Sequence, residues 1–108
     1  VGLKMVKEVT VQKDGKETII KCLPPKGRDT KKGLKMLMKA QSSEEAEAGE
    51  RMNEYLDFLD EMASRYTGLS IEELDDLTSE DKDKILLVYQ DGVASKIDFL
   101  RSSLKRVS

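Results

Sequence analysis

The dipeptide Asp14-Gly15, standing between two runs rich in β-branched residues, constrains this chain more than any other feature. The runs are Lys4 to Gln12 (KMVKEVTVQ) and Glu17 to Leu23 (ETIIKCL). A two-residue connection that matches strand twist needs positive φ at its centre; glycine adopts this without a Cβ clash and aspartate tolerates it. The pattern predicts a two-stranded hairpin over residues 1–23. Such a hairpin is marginal alone, so it has to rest on other elements or add to a sheet made with another copy.

Pro24-Pro25 closes the second run, because neither residue can donate to a ladder and the first restricts Leu23. A Pro/Gly loop is expected over 24–29 and a helical region over 30–108. The first helix is predicted from about Thr30 to Gln41, capped by Asp29 or Thr30, with Leu34, Leu37 and Met38 on one face. Gly33 weakens it by about 1 kcal/mol relative to Ala, which points to a close approach by another element. Ser42-Ser43 offers a new N-cap, followed by Glu44, Glu45 and Glu47 where carboxylates suit the helix dipole. The next helix sets Met52, Tyr55, Leu56, Leu59, Met62, Ala63 and Tyr66 at helical spacing, with Gly68 as its C-terminal cap.

Ser70 and Glu73 form a capping-box pattern that starts a short helix ending near Leu77. Thr78 opens the last helix, in which Ile85, Tyr89, Val93, Ile97, Leu100 and Leu104 keep helical spacing and Gly92 marks a bend or close crossing. The expected fold is α+β and mostly helical, an N-terminal β-hairpin followed by about four helices, in a single domain over 1–108.

Composition limits what this fold can do. Of 108 residues, 38% are apolar and 37% charged, a thin supply for closing a core unaided, so a partner is expected to complete some apolar surface. No run approaches the roughly 18 apolar residues of a membrane span, and the N-terminus carries no leader pattern. The chain is therefore expected to be soluble, not exported and without a membrane partner. The single cysteine, Cys22, excludes an internal disulfide, is most simply a core residue and fits a reducing cytoplasm.

Charge is segregated along the chain. Val1 to Lys39 carries eleven Lys/Arg against four Asp/Glu, a net +7; Ala40 to Asp83 carries three against fifteen, −12; the remainder is +3. One reading is that these residues simply coat exposed helix faces. The sharper one is that opposite-sign surfaces orient copies, or the chain and a partner, before docking.

The chain contains no histidine, which removes the commonest general base, the commonest metal ligand and the usual partner of a nucleophile. Asp57 with Asp60 or Glu61, and Asp75 with Asp76, are the remaining carboxylate sets. They lack the alternating ligands and central glycine of a calcium loop and read as solvated helix surface. Gly27 to Gly33 resembles a phosphate loop only weakly, without the Gly-Lys-Ser/Thr ending. Binding without catalysis, cofactor or metal is the expectation.

Lys26, Arg28, Lys31, Lys32, Lys35 and Lys39 raise a nucleic-acid alternative. No aromatic residue precedes Gln41 to stack on bases and the whole chain is acidic, so no nucleic-acid partner is expected. For protein contacts the candidates are Tyr89, Val93, Ile97 and Leu100 on the C-terminal stripe, which reads first as core. The basic Arg28, Lys31 and Lys32 are also expected to meet Asp57 and Glu61 of another copy in a homo-oligomer.

The hairpin, then Leu23-Pro24-Pro25-Lys26-Gly27-Arg28-Asp29 leading into Lys32-Gly33-Leu34-Lys35-Met36-Leu37, resembles the small tail assembly chaperones of long-tailed bacteriophages and prophages. Tyr55 to Met62 (YLDFLDEM) and Gly68 to Leu77 (GLSIEELDDL) carry the resemblance on, across most of the chain. It implies a protein of the bacterial host cytoplasm that binds the tape measure protein and helps recruit tail tube subunits. It supplies no catalytic residues. A small adaptor or antitoxin-like regulator shares the acidic helices and the lack of catalytic groups, and stays open as an alternative.

Overall fold

The computed structural model describes residues 6–107, with side chains described through residue 96. Strands β1 (Lys7–Lys13) and β2 (Lys16–Cys22) pair antiparallel, in the register Lys13↔Lys16, Val11↔Thr18 and Val9↔Ile20. Asp14 at φ 53° and Gly15 at φ 76° make the two-residue turn, the left-handed pair that lets short twisted strands meet. Residues 4 and 5 of the first β-prone run lie outside the described residues. Val11, Ile20 and Cys22 face inward, while Thr10 and Ile19 face solvent.

Four helices follow: α1 (Gly27–Ser42), α2 (Glu45–Thr67), α3 (Ile71–Asp76) and α4 (Ser79–Val107). The fold is therefore a mostly helical α+β arrangement with an N-terminal antiparallel hairpin. Helix α1 begins three residues before the expected Thr30, with Lys26 at its N-cap making no side-chain cap bond. Asp29, expected as a cap, instead lies in the first turn and turns its carboxylate inward to Tyr66 and Arg65. Nor do the serines before α2 cap it; Ser42 and Ser43 bond back to the Lys39 carbonyl and so finish α1.

Local signals hold further along. Gly68, at φ 81°, donates its N–H to the Ser64 carbonyl and ends α2. Ser70 and Glu73 exchange both capping-box bonds at the start of α3, and the Thr78 hydroxyl accepts from the Asp81 N–H at the start of α4.

One hydrophobic cluster joins these elements: Val11, Ile20 and Cys22 of the hairpin, Tyr55, Phe58, Leu59, Met62, Ala63 and Tyr66 of α2, Leu74 and Leu77, and Ile85, Tyr89 and Val93 of α4. Leu34, Met36 and Leu37 of α1 pack against it. Helix α4 enters this core at every fourth residue, beside β1 and both long helices. Gly33 is what lets α1 approach: an ideal Cβ there would lie 3.0 Å from Phe58 Cε2 and 3.1 Å from Val93 Cγ2. At Gly92, by contrast, a Cβ would meet open space, so that glycine marks no close crossing.

Candidate protein-interaction surface

The two buried carboxylates among the described residues, Asp29 and Asp81, are occupied in holding the fold together. Asp29 is buried, accepts from the Tyr66 hydroxyl and accepts from Arg65 Nη1 at 2.8 Å. The Tyr66 hydroxyl in turn accepts from the Lys26 backbone N–H at 3.0 Å. The Tyr66 hydrogen bond first, and then the Arg65 guanidinium, hold the Asp29 carboxyl below its usual range against the opposing effect of burial. Asp81, also buried, accepts from the Gln12 N–H at 3.0 Å and ties the outer edge of β1 to α4. That bond, aided by Lys84, lowers its carboxyl too.

Glu73 pairs with Lys13. Lys82 sits between Asp75 at 2.7 Å and Asp60 at 3.3 Å, so one member of each candidate carboxylate set is neutralised by the same lysine. Cys22 is fully buried, and burial pushes its thiol up, away from thiolate chemistry at neutral pH.

At its described positions the C-terminal stripe is core, the first of its two readings. Tyr89 and Val93 are fully buried, so they form core and offer nothing to a partner in this state. Tyr89 stacks on Tyr66 with ring centroids 6.1 Å apart and donates its hydroxyl to the Leu23 carbonyl, and Val93 meets α1 at Gly33. Ile97 and Leu100 belong to α4, but their side chains lie outside the described residues. The charged candidates are placed differently. Arg28, Lys31 and Lys32 are exposed on α1, Asp57 and Glu61 are exposed on α2, and none of the five has an ion-pair partner among the described residues. Lys32 Nζ rests 5.3 Å from the centre of the Phe58 ring.

Exposed apolar surface appears where the sequence suggests core. Met52 and Leu56, on the predicted inner face of α2, are 36% and 45% exposed, and Leu87 of α4 is 49% exposed. Leu56 and Leu87 edge a shallow groove of about 270 Å³ between α2 and α4, lined also by Leu59, Asp83, Leu86 and Gln90. Phe58 takes the buried place instead, because α2 turns that side toward Gly33. The adjacent pair Leu86-Leu87 was the available signal: successive helical residues point about 100° apart, so both cannot face one core.

A second hollow, of about 370 Å³, lies where the Pro24-Pro25 segment and Leu23 approach Val88, Asp91 and Gly92. Among the described residues no helix is long and apolar enough to cross a membrane. No protein-family model, curated protein or solved structure matches the chain.

Proposed function

We propose that this chain is a non-catalytic assembly chaperone of the kind found with long-tailed bacteriophages, working in the host cytoplasm. Its client in this reading is the tape measure protein, held soluble until tail tube subunits are recruited around it. The observation that carries the reading is that Leu56 and Leu87 stand in solvent on the α2–α4 groove, with exposed Met52 one helical turn from Leu56, in a chain with little apolar residue to spare. The resemblance carried by residues 23–37, 55–62 and 68–77 supplies the client's identity.

A long, apolar, helical client aggregates when exposed. An amphipathic helix laid into a groove buries its stripe at spacings of three and four residues, and Leu56 and Leu87 stand on the two walls where such a stripe would seat. Acidic Asp83 and polar Gln90 at the rim favour a client helix flanked by Lys or Arg.

Co-expression with a tape measure protein from the same genome tests this. Wild-type chain is expected to raise the soluble tape measure fraction and to co-purify with it, whereas Leu56→Glu with Leu87→Glu loses both while remaining helical. Equal solubility of the tape measure protein with and without the chain would count against the reading.

A further inference from the structure

The outer faces of α1 and α2 carry two charged rails of opposite sign. On α1, Arg28, Lys31, Lys35 and Lys39 follow one another at steps of three or four residues, all exposed. On α2, Glu47, Glu50, Glu54, Asp57 and Glu61 do the same. Among the described residues only Glu47 has a partner, Arg51 one turn along its own helix at 3.5 Å. The rails lie side by side on neighbouring antiparallel helices and do not neutralise each other across the pair.

We infer that these rails are a reciprocal docking surface for a second copy of this chain, with α1 of each copy lying over α2 of the other. The levels of the charges favour this occupant. Asp29 pairs with Arg65 and Gly33 lies against Phe58, which fixes how the two helices run past one another. To within about a turn, Lys31 is then level with Glu61, Lys35 with Asp57 and Lys39 with Glu54. A two-fold axis parallel to the helices preserves these levels and sets each cation of one copy opposite an acid of the other. An axis across the helices would stack like on like, so charge selects the first arrangement.

The basic rail is about 17 Å long and nearly all polar, with Met38, half exposed, as its one large apolar side chain. Contacts so small and charged belong to the weak class and are screened by salt. The surface lies on the side of α2 away from the α2–α4 groove, so it stands or falls independently of client binding.

Light scattering at about 0.5 mM chain compares low salt, about 20 mM, with about 500 mM. The average mass is expected to rise at low salt from the 12.2 kDa of one chain toward twice that value, and to return to one chain at high salt. Lys35→Glu with Lys39→Glu abolishes the rise, as does Glu54→Lys with Asp57→Lys. Mixing the two variants restores it, because both rails are then complementary again in the mixed pair, and this outcome cannot come from loss of folding.

Monomeric wild type at low salt overturns the inference, and so does dimerisation unaffected by either reversal or two reversed variants that fail to pair. A wild type that stays monomeric yet binds a DNA oligonucleotide, with binding lost in the α1 reversal, assigns the basic rail to nucleic acid and also overturns it.

Discussion

Replacing Gly33 with Ala puts one methyl group where three helices meet, and two opposing effects decide the outcome. The added Cβ would lie 3.0 Å from Phe58 Cε2 and 3.1 Å from Val93 Cγ2, against ordinary carbon contacts of about 3.5–4.0 Å. Alanine gains about 1 kcal/mol in helix propensity over glycine. Overpacking a filled core costs about 1–3 kcal/mol. The Phe58 ring edge can tilt slightly, but Val93 is fully enclosed on a different helix, so relief at one contact leaves the other.

The expected net result for Gly33→Ala is a loss of about 1 kcal/mol. Val93→Ala alone removes two buried methyl groups and costs about 2–3 kcal/mol. It also removes the atom at 3.1 Å, so the double variant is expected to be about 1 kcal/mol more stable than the two losses predict. Urea unfolding followed by circular dichroism gives all four stabilities. Additivity within about 0.5 kcal/mol, or a Gly33→Ala chain stabilised by the whole propensity gain, would refute the close-packing argument.

The three tyrosines make a second test, since their hydroxyls are in three different situations. Tyr66→Phe, which removes a bond to Asp29 and one from Lys26, is expected to destabilise most, Tyr89→Phe by about 1 kcal/mol, and Tyr55→Phe not at all or in the stabilising direction. The reason for the last is that the buried Tyr55 hydroxyl has no hydrogen-bond partner among the described residues; a Tyr55→Phe loss as large as that of Tyr66→Phe would contradict the ranking. Because the Asp29 carboxyl is lowered in the folded chain, its contribution is present above the unfolded value of about 3.9 and disappears as pH falls through the lower folded value. Thermal melts should therefore show a shallower acid decline for Asp29→Asn than for wild type, and parallel curves would remove Asp29 from the acid transition. Ser70→Ala should cost about 1 kcal/mol by leaving the Glu73 N–H without its cap, while a neutral result would show the capping box to be dispensable.

What could be read from the chain was whatever its neighbours in sequence decide. Asp14-Gly15 specifies its turn through the φ values the two residues accept, and Gly68, Ser70 with Glu73, and Thr78 end or begin helices through bonds within four residues. The absent Cβ of Gly33 likewise announced a close approach, although not by which residues. The failures are tertiary. Periodicity assigns Met52 and Leu56 to the same inner face as Leu59, but the direction in which α2 meets α1 and α4 buries Phe58 and leaves those two exposed. Asp29 has the chemistry of a helix cap, yet Tyr66 and Arg65, distant in sequence, take its carboxylate and the helix starts earlier.

The candidate contacts divide on the same line. Arg28, Lys31, Lys32, Asp57 and Glu61 lie on polar helix faces and are exposed as their type dictates. Tyr89 and Val93 belong to an apolar stripe long enough to serve either core or partner, and the approach of α1 and the hairpin encloses them. Leu87 was not singled out because its exposure depends on which of two adjacent leucines the core accepts.

The central claim is that the apolar groove between α2 and α4 receives a client helix. Titrating isotopically labelled chain with helical segments of the proposed client, a tape measure protein, while following backbone amide shifts by NMR, tests it residue by residue. Shifts clustered at Met52, Leu56, Leu86, Leu87 and Gln90, and abolished by Leu56→Glu with Leu87→Glu, are the predicted result. Shifts confined to other faces, or none at saturating segment, would contradict it.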